Sequence, residues 1–185
     1  MDDSQAFRLP DRWPAPADAD AAGRLRERLA EQGEQARALL ALPEAAPMLE
    51  SLGGNSPYLS DLAVREAGTL GALVTGGPDA VLAAEFAALA ATAPAEPRPV
   101  IAAALRRAKR RSALAVALAD IGGMWSLAQV TDALTTLAEK TLALAVSHLL
   151  RIAHDAGDLS LPNPQRPQVG SGFVVLGMES SGEGS

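Results

Sequence analysis

The sequence contains no cysteine. Disulfide staples, thiolate metal sites and cysteine nucleophiles are therefore excluded, which fits a reducing compartment. Aromatic residues make up only 3% of the chain. With so few rings and so many helix formers, the composition favours a helical core of small and aliphatic side chains over an all-β fold. Positive charge is also short, since the formal net charge is −6. That balance argues against a general nucleic-acid binder, which needs a clustered basic surface to neutralise phosphates. The amino terminus, MDDSQAFRLPDRW, lacks the basic stretch and apolar run of a secretory signal, and no apolar segment stays free of charge long enough to span a bilayer. The expectation is a cytoplasmic, soluble protein with no nucleic acid and no membrane as partner.

What is present is a chain of 185 residues rich in alanine and leucine, long enough for one sizeable core or for one domain and part of a second. Residues 1–20 carry the prolines of LPDRWPAP and read as an extended lead-in that Trp13 pins to the body. From Ala21, Leu25, Leu29, Ala36, Leu39 and Leu40 fall at helical spacing, so one amphipathic helix is expected up to Pro43. Gly53-Gly54 is expected to stop a short helix, Ser56-Pro57 to start the next as cap and first-turn proline, and Gly76-Gly77-Pro78 to repeat the punctuation. A helix from Pro78 to about Thr92 and the connector APAEPRP follow.

The second half is more regular. A long helix is expected from about Pro99 to Ile121, closed by Gly122-Gly123. The next opens on a capping box, Ser126 to Gln129, and runs to about Ala156. Within it Leu127, Val130, Leu134, Leu137, Thr141 and Leu144 alternate three- and four-residue steps, the pattern of a stripe facing the preceding helix. If that stripe is core, truncating Leu134 or Leu137 to Ala costs about 2–5 kcal/mol. Phe173 to Leu176 then reads as a buried strand with nothing in the sequence to pair with.

Candidate sites are few. His148 and His154 stand six residues apart, roughly 240° around one helix, and cannot share a metal. His148 is better explained as a packed histidine, and His154 as a side chain favouring the negative end of the helix dipole. RRAKRR, Arg106 to Arg111, reads as a solvated turn or one paired with acids of neighbouring helices. Gly177 and Gly182 have the spacing of a phosphate loop, but Glu183 and Gly184 replace the Lys and Ser/Thr such a loop needs, and a carboxylate there repels phosphate. No Ser-His-Asp set and no paired carboxylates stand out.

Three segments in order, GNSPYLSDLAVRE (54–66), LRRAKRRSALAVALADIGGMWSLAQVTDALTTLAEKTL (105–142) and GFVVLGM (172–178), resemble the amino-terminal, adenylyl-removing half of the bifunctional glutamine synthetase adenylyltransferase/adenylyl-removing enzymes. The resemblance spans about Leu52 to Met178. It implies an all-α domain over 21–168, followed over 169–185 by a single β-strand that opens a truncated nucleotidyltransferase domain. Gly177, at the strand's end, is then the position nearest the nucleotide. In the family the strand continues into Gly-Lys-Leu-Gly and a strand carrying Asp-x-Asp, whose carboxylates hold the metal that bridges nucleotide phosphates. After Met178 this sequence has neither. Magnesium and ATP/ADP are therefore implied for the full-length protein only, as are glutamine synthetase and the PII signalling protein as partners.

The expectation is a truncated, inactive lead-in, with no catalytic and no metal-binding residue of its own. A single-base deletion after the Met178 codon would turn a family-like continuation into Met-Glu-Ser-Ser-Gly-Glu-Gly-Ser and a stop. The alternative, from another class, is a stand-alone helical module that binds an acidic protein through the basic turn and the apolar stripe.

Overall fold

The computed structural model describes residues 7–175, which form an all-α fold. In chain order the helices are α1 Ala19–Ala30, α2 Glu34–Leu40, a 3-10 turn Pro43–Ala45, α3 Ala46–Asn55, α4 Pro57–Arg65, α5 Ala67–Ala91, α6 Arg98–Ile121 and α7 Leu127–Asp155.

The expected single helix from Ala21 to Leu40 is in fact two. Gly33, at φ 106°, takes a backbone conformation that side chains resist, and the helix breaks there. Arg37 bridges the break by donating from Nε to the Ala30 carbonyl, 2.9 Å away. Gly53 and Gly54 do not stop α3, which runs on to Asn55. They are there for close approach: a Cβ on Gly53 would lie 2.9 Å from the Ala22 backbone, and one on Gly54 would lie 2.3 Å from the Pro16 ring. Ser56 caps α4 through the Leu59 N–H, as its sequence predicts.

The Gly-Gly-Pro signal marks a kink inside α5. Gly77 sits at φ 79°, ψ 173°, and Pro78 opens the second half. This helix has the length and mean hydropathy of a membrane span. Its composition is that of a core element, because Leu70, Leu73, Leu82 and Leu89 are buried against other helices.

The lead-in crosses the body as a strap seated on three glycines. Phe7 lies over Gly77, Trp13 over Gly122 and Pro16 over Gly54. Trp13 also donates from Nε1 to the Pro10 carbonyl at 2.9 Å. Asn55 fixes the strap's far end, accepting from the Ala17 N–H and donating to the Ala15 carbonyl, each at 3.1 Å.

The main core joins α1 to α6 around Leu25, Leu29, Met48, Leu52, Leu70, Leu114 and Leu118. A smaller cluster, Leu89, Ile101, Ala108 and Leu144, attaches α7. Both halves of the Ser126–Gln129 capping box are formed, so the start of α7 is as the sequence predicts. Its stripe is not. Leu144 is 7% exposed and Leu137 packs partly on the smaller cluster, but Leu134 is 48% exposed and Leu127 80%. The covered side of α7 follows Val130, Ala133, Leu137, Leu144 and His148. Leu127 and Leu134 are turned roughly 65–85° from the middle of that line at 100° per residue, beyond the reach of α5 and α6.

The expected strand is not formed among the described residues. Phe173, Val174 and Val175 are exposed, and no backbone hydrogen bond among the described residues reaches Val174 or Val175. A strand needs a neighbour to satisfy its backbone groups, and the helical body presents no sheet edge. Leu176 to Ser185, including Gly177, lie outside the described residues.

Candidate functional site

Two places bring chemistry-bearing or unsatisfied side chains together. The first is the basic turn of α6. Arg110 donates from Nε to Glu66, at the junction of α4 and α5, and Arg111 donates to the other oxygen of the same carboxylate at 2.9 Å. Arg111 also reaches Glu85 of α5 through Nη1 at 2.9 Å, and Arg107 stands 3.8 Å from the second Glu85 oxygen. Both carboxylates are buried.

Burial pushes the Glu66 carboxyl up, but the hydrogen bonds and charges of Arg110 and Arg111 outweigh it and hold the group below its ordinary 4.5. The hydrogen bond to Glu85 is the main cause that raises the Arg111 guanidinium, with burial opposing it. Three guanidiniums on two carboxylates form a clamp between α6 and the α4–α5 junction. The cluster holds one more positive than negative charge, and Glu85 Oε2 is left without a hydrogen-bond partner. The sequence reading that paired RRAKRR with acids of neighbouring helices therefore holds for Arg107, Arg110 and Arg111, while Arg106 and Lys109 are exposed.

His148 is buried, with Nδ1 2.9 Å from the Pro94 carbonyl and Nε2 without a partner. It is the packed histidine its position suggests. His154 works at the end of α7, where its Nδ1 lies 3.4 Å from the Leu161 N–H and 3.3 Å from the Leu159 carbonyl and so holds the connector that follows. No group of three His, Asp or Glu among the described residues could hold a metal. The one Asp-x-Asp in the chain, Asp18 and Asp20, lies in the lead-in. Asp18 is occupied as the cap of α1, accepting from the Ala21 N–H at 2.8 Å.

The second place is the outer face of α7. After α7 the chain folds back along it: Leu161 and Pro167 are buried, and Arg151 donates from Nη1 to the Pro164 carbonyl at 3.2 Å. Gln168 donates from Nε2 to the Ala143 carbonyl at 2.6 Å and to the Ser147 hydroxyl at 3.0 Å. This anchoring lays Phe173 and Val175 beside α7. Together with Thr135, Ala138, Glu139, Leu142 and Val146 they line an open groove of about 520 Å³. Its polar lining is Thr135, Glu139 and Gln168, and the rest is apolar. The sequence reading missed this face, although Leu142 and Leu149 were visible at helical spacing, turned roughly 100° from the middle of the expected stripe.

Residues 47–184 match the family model described as glutamate-ammonia ligase adenylyltransferase. The match begins ahead of Leu52 and runs on past Met178, so it is longer than the resemblance read from the sequence. A relative from Rhodopseudomonas palustris strain TIE-1, named a bifunctional glutamine synthetase adenylyltransferase/adenylyl-removing enzyme, is 42% identical over 160 residues, covering 82% of this chain and 16% of its own length. Proteins of the same name from Xanthobacter autotrophicus strain Py2 and Bradyrhizobium sp. strain ORS 278 are 38% and 35% identical, over 84% and 98% of the chain. No solved structure matches. The chain thus spans about a sixth of the length of the curated relatives it matches, and it belongs to the glutamate-ammonia ligase adenylyltransferase family.

Proposed function

We propose that this chain acts as the helical lead-in of a glutamine synthetase adenylyltransferase/adenylyl-removing enzyme, the part that holds the start of a nucleotidyltransferase domain in place. The observation that carries this reading is the 42% identity over 160 residues to the Rhodopseudomonas palustris TIE-1 relative. In it, residues 1–20 are the lead-in, 21–168 the helical body and 169–185 the opening of the next domain. Phe173 to Met178 pair there as its first strand, and Gly177 lies beside the nucleotide.

The whole enzyme's activity is then adenylyl transfer to a tyrosine of glutamine synthetase and phosphorolytic removal of the group, in the cytoplasm, under control of the PII protein. Magnesium and ATP or ADP belong to carboxylates on a following strand. The described residues do not fit that metal, because they supply no set of three acidic or imidazole donors and their only Asp-x-Asp is spent on a helix cap. What this chain contributes is position. The Glu66–Glu85–arginine clamp holds α6 to the junction of α4 and α5, α7 packs on α5 and α6, and Gln168 fixes the segment that leaves α7.

The alternative of a module that binds an acidic partner through RRAKRR loses most of its cationic surface to that clamp. The test compares two proteins. The 185-residue chain alone, given Mg²⁺, nucleotide and glutamine synthetase, turns over no more than a blank. The Rhodopseudomonas palustris TIE-1 enzyme with its matching segment replaced by this chain's residues keeps both activities. A folded chimera without either activity would sink the reading, as would turnover by the 185-residue chain.

A further inference from the structure

On α7, Leu127, Leu134, Ala138, Leu142, Leu149 and Ile152 are all exposed. At 100° per residue they fall within a sector of about 80°, so they form one apolar seam along a helix roughly 43 Å long. Water-exposed apolar surface of that extent on an otherwise packed body marks an interface. Its occupant is indicated by the segment already lying against it. Phe173 and Val175 turn into the groove beside Ala138 and Leu142, while Val174 between them points away and is 72% exposed. That alternation is a strand's, and the backbone groups of Val174 and Val175 have no partner among the described residues, while the Phe173 N–H donates only to the Ser171 hydroxyl at 3.1 Å.

We propose that the α7 seam, with Phe173 and Val175, is the docking surface for the apolar face of a β-sheet supplied by the polypeptide that follows this region in the longer relatives. Phe173–Val175 is the first strand of that sheet. The proposal rests on the reading that this chain is the lead-in of such an enzyme. Helix on sheet is one of the few layer arrangements that bury a helix stripe, and a sheet continuing from Val175 starts on the seam. A second copy of this chain fits less well. Asp132 and Glu139 line one edge of the seam, the adjacent Lys140 lies over the Phe86 ring instead, and an antiparallel two-fold partner would face that acidic edge with its own.

Hydroxyl-radical footprinting of side chains tests this on two proteins as they exist, the 185-residue chain and the full-length Rhodopseudomonas palustris TIE-1 enzyme. In the chain, Leu134, Leu142 and Leu149 are labelled strongly and Leu144 weakly. In the long enzyme, the positions aligned with those three fall to the level of the position aligned with Leu144. Equal labelling in both proteins overturns the proposal. So does protection of the seam in the chain itself, accompanied by a dimer in sedimentation that Leu142→Glu dissolves, because the occupant is then a second copy. Leu142→Glu leaves the melting temperature of the chain nearly unchanged, which separates loss of docking from loss of fold. An active chimera with an unprotected seam refutes the docking alone, whereas an inactive chimera with a protected seam refutes the lead-in role alone.

Discussion

On the strap side of the molecule Phe7, Trp13 and Pro16 each lie on a glycine, and the backbone between them is tied to Asn55, whereas on the outer side of α7 leucines of the same apolar character stand in solvent. The strap's two rings and Pro16 are each received by a glycine, and Leu9 packs on the main core. The seam has many apolar side chains, and the described residues offer nothing to receive them. The difference teaches that exposure on α7 is not a shortage of packing skill in the sequence. A chain that fits a phenylalanine ring to within 2.6 Å of where a Cβ would stand has the means to cover a leucine. The seam is a surface kept for something else.

The strap half of the comparison breaks most severely at Gly77. An alanine there adopts φ 79° against its preference and pushes its Cβ into the Phe7 ring. Gly77→Ala is expected to cost about 2–4 kcal/mol from strain and overpacking together, read as a lower denaturation midpoint. A midpoint unchanged from the parent would mean that Phe7 is not seated on that glycine.

The arginine clamp comes next. Glu66→Ala leaves Arg110 and Arg111 without their shared carboxylate, at a cost of about 2–3 kcal/mol, less than a fully buried pair because the arginines are about a third exposed. The pH dependence has a definite sign. Glu66 is held below 4.5, so its contribution is present above that pH and is lost as pH falls further through the folded-state value. Thermal melts between pH 6 and pH 3 should therefore fall less steeply for Glu66→Gln than for the parent. Parallel slopes would show that Glu66 does not carry the acid limb. A smaller loss, about 1 kcal/mol, is expected for Asn55→Ala, which frees the strap's far end from its two anchoring hydrogen bonds.

Much of the fold was legible because its signals are local. The Ser56-Pro57 start, the Ser126–Gln129 box and the α6 stop at Gly122 are each written within four residues, and each stands where the sequence places it. Glycines were misread when their role depended on distant neighbours. Gly53 and Gly54 look like a stop, yet they exist to let α1 and Pro16 approach a continuing helix. The α7 stripe held at Val130, Leu137 and Leu144 but failed at Leu127 and Leu134, for a related reason. Three-and-four spacing shows that a helix has an apolar face, but Leu134 and Leu144 differ in burial because only one has α5 and α6 beside it, and that is a fact of tertiary structure. Glu66 and Glu85 gave no local signal either, since they lie 44 and 26 residues from the arginines they hold. Gly177 falls outside the described residues.

The division of α7 into a packed side and a docking side is measured most directly by two truncations in the 185-residue chain. Leu144→Ala, on the packed side, is expected to lower the unfolding free energy by about 2–4 kcal/mol, and Leu134→Ala, on the seam, by less than about 1 kcal/mol. Urea denaturation of both variants beside the parent gives the difference. Losses of equal size would contradict the account, for Leu134 would then be core and the seam would not be a surface at all.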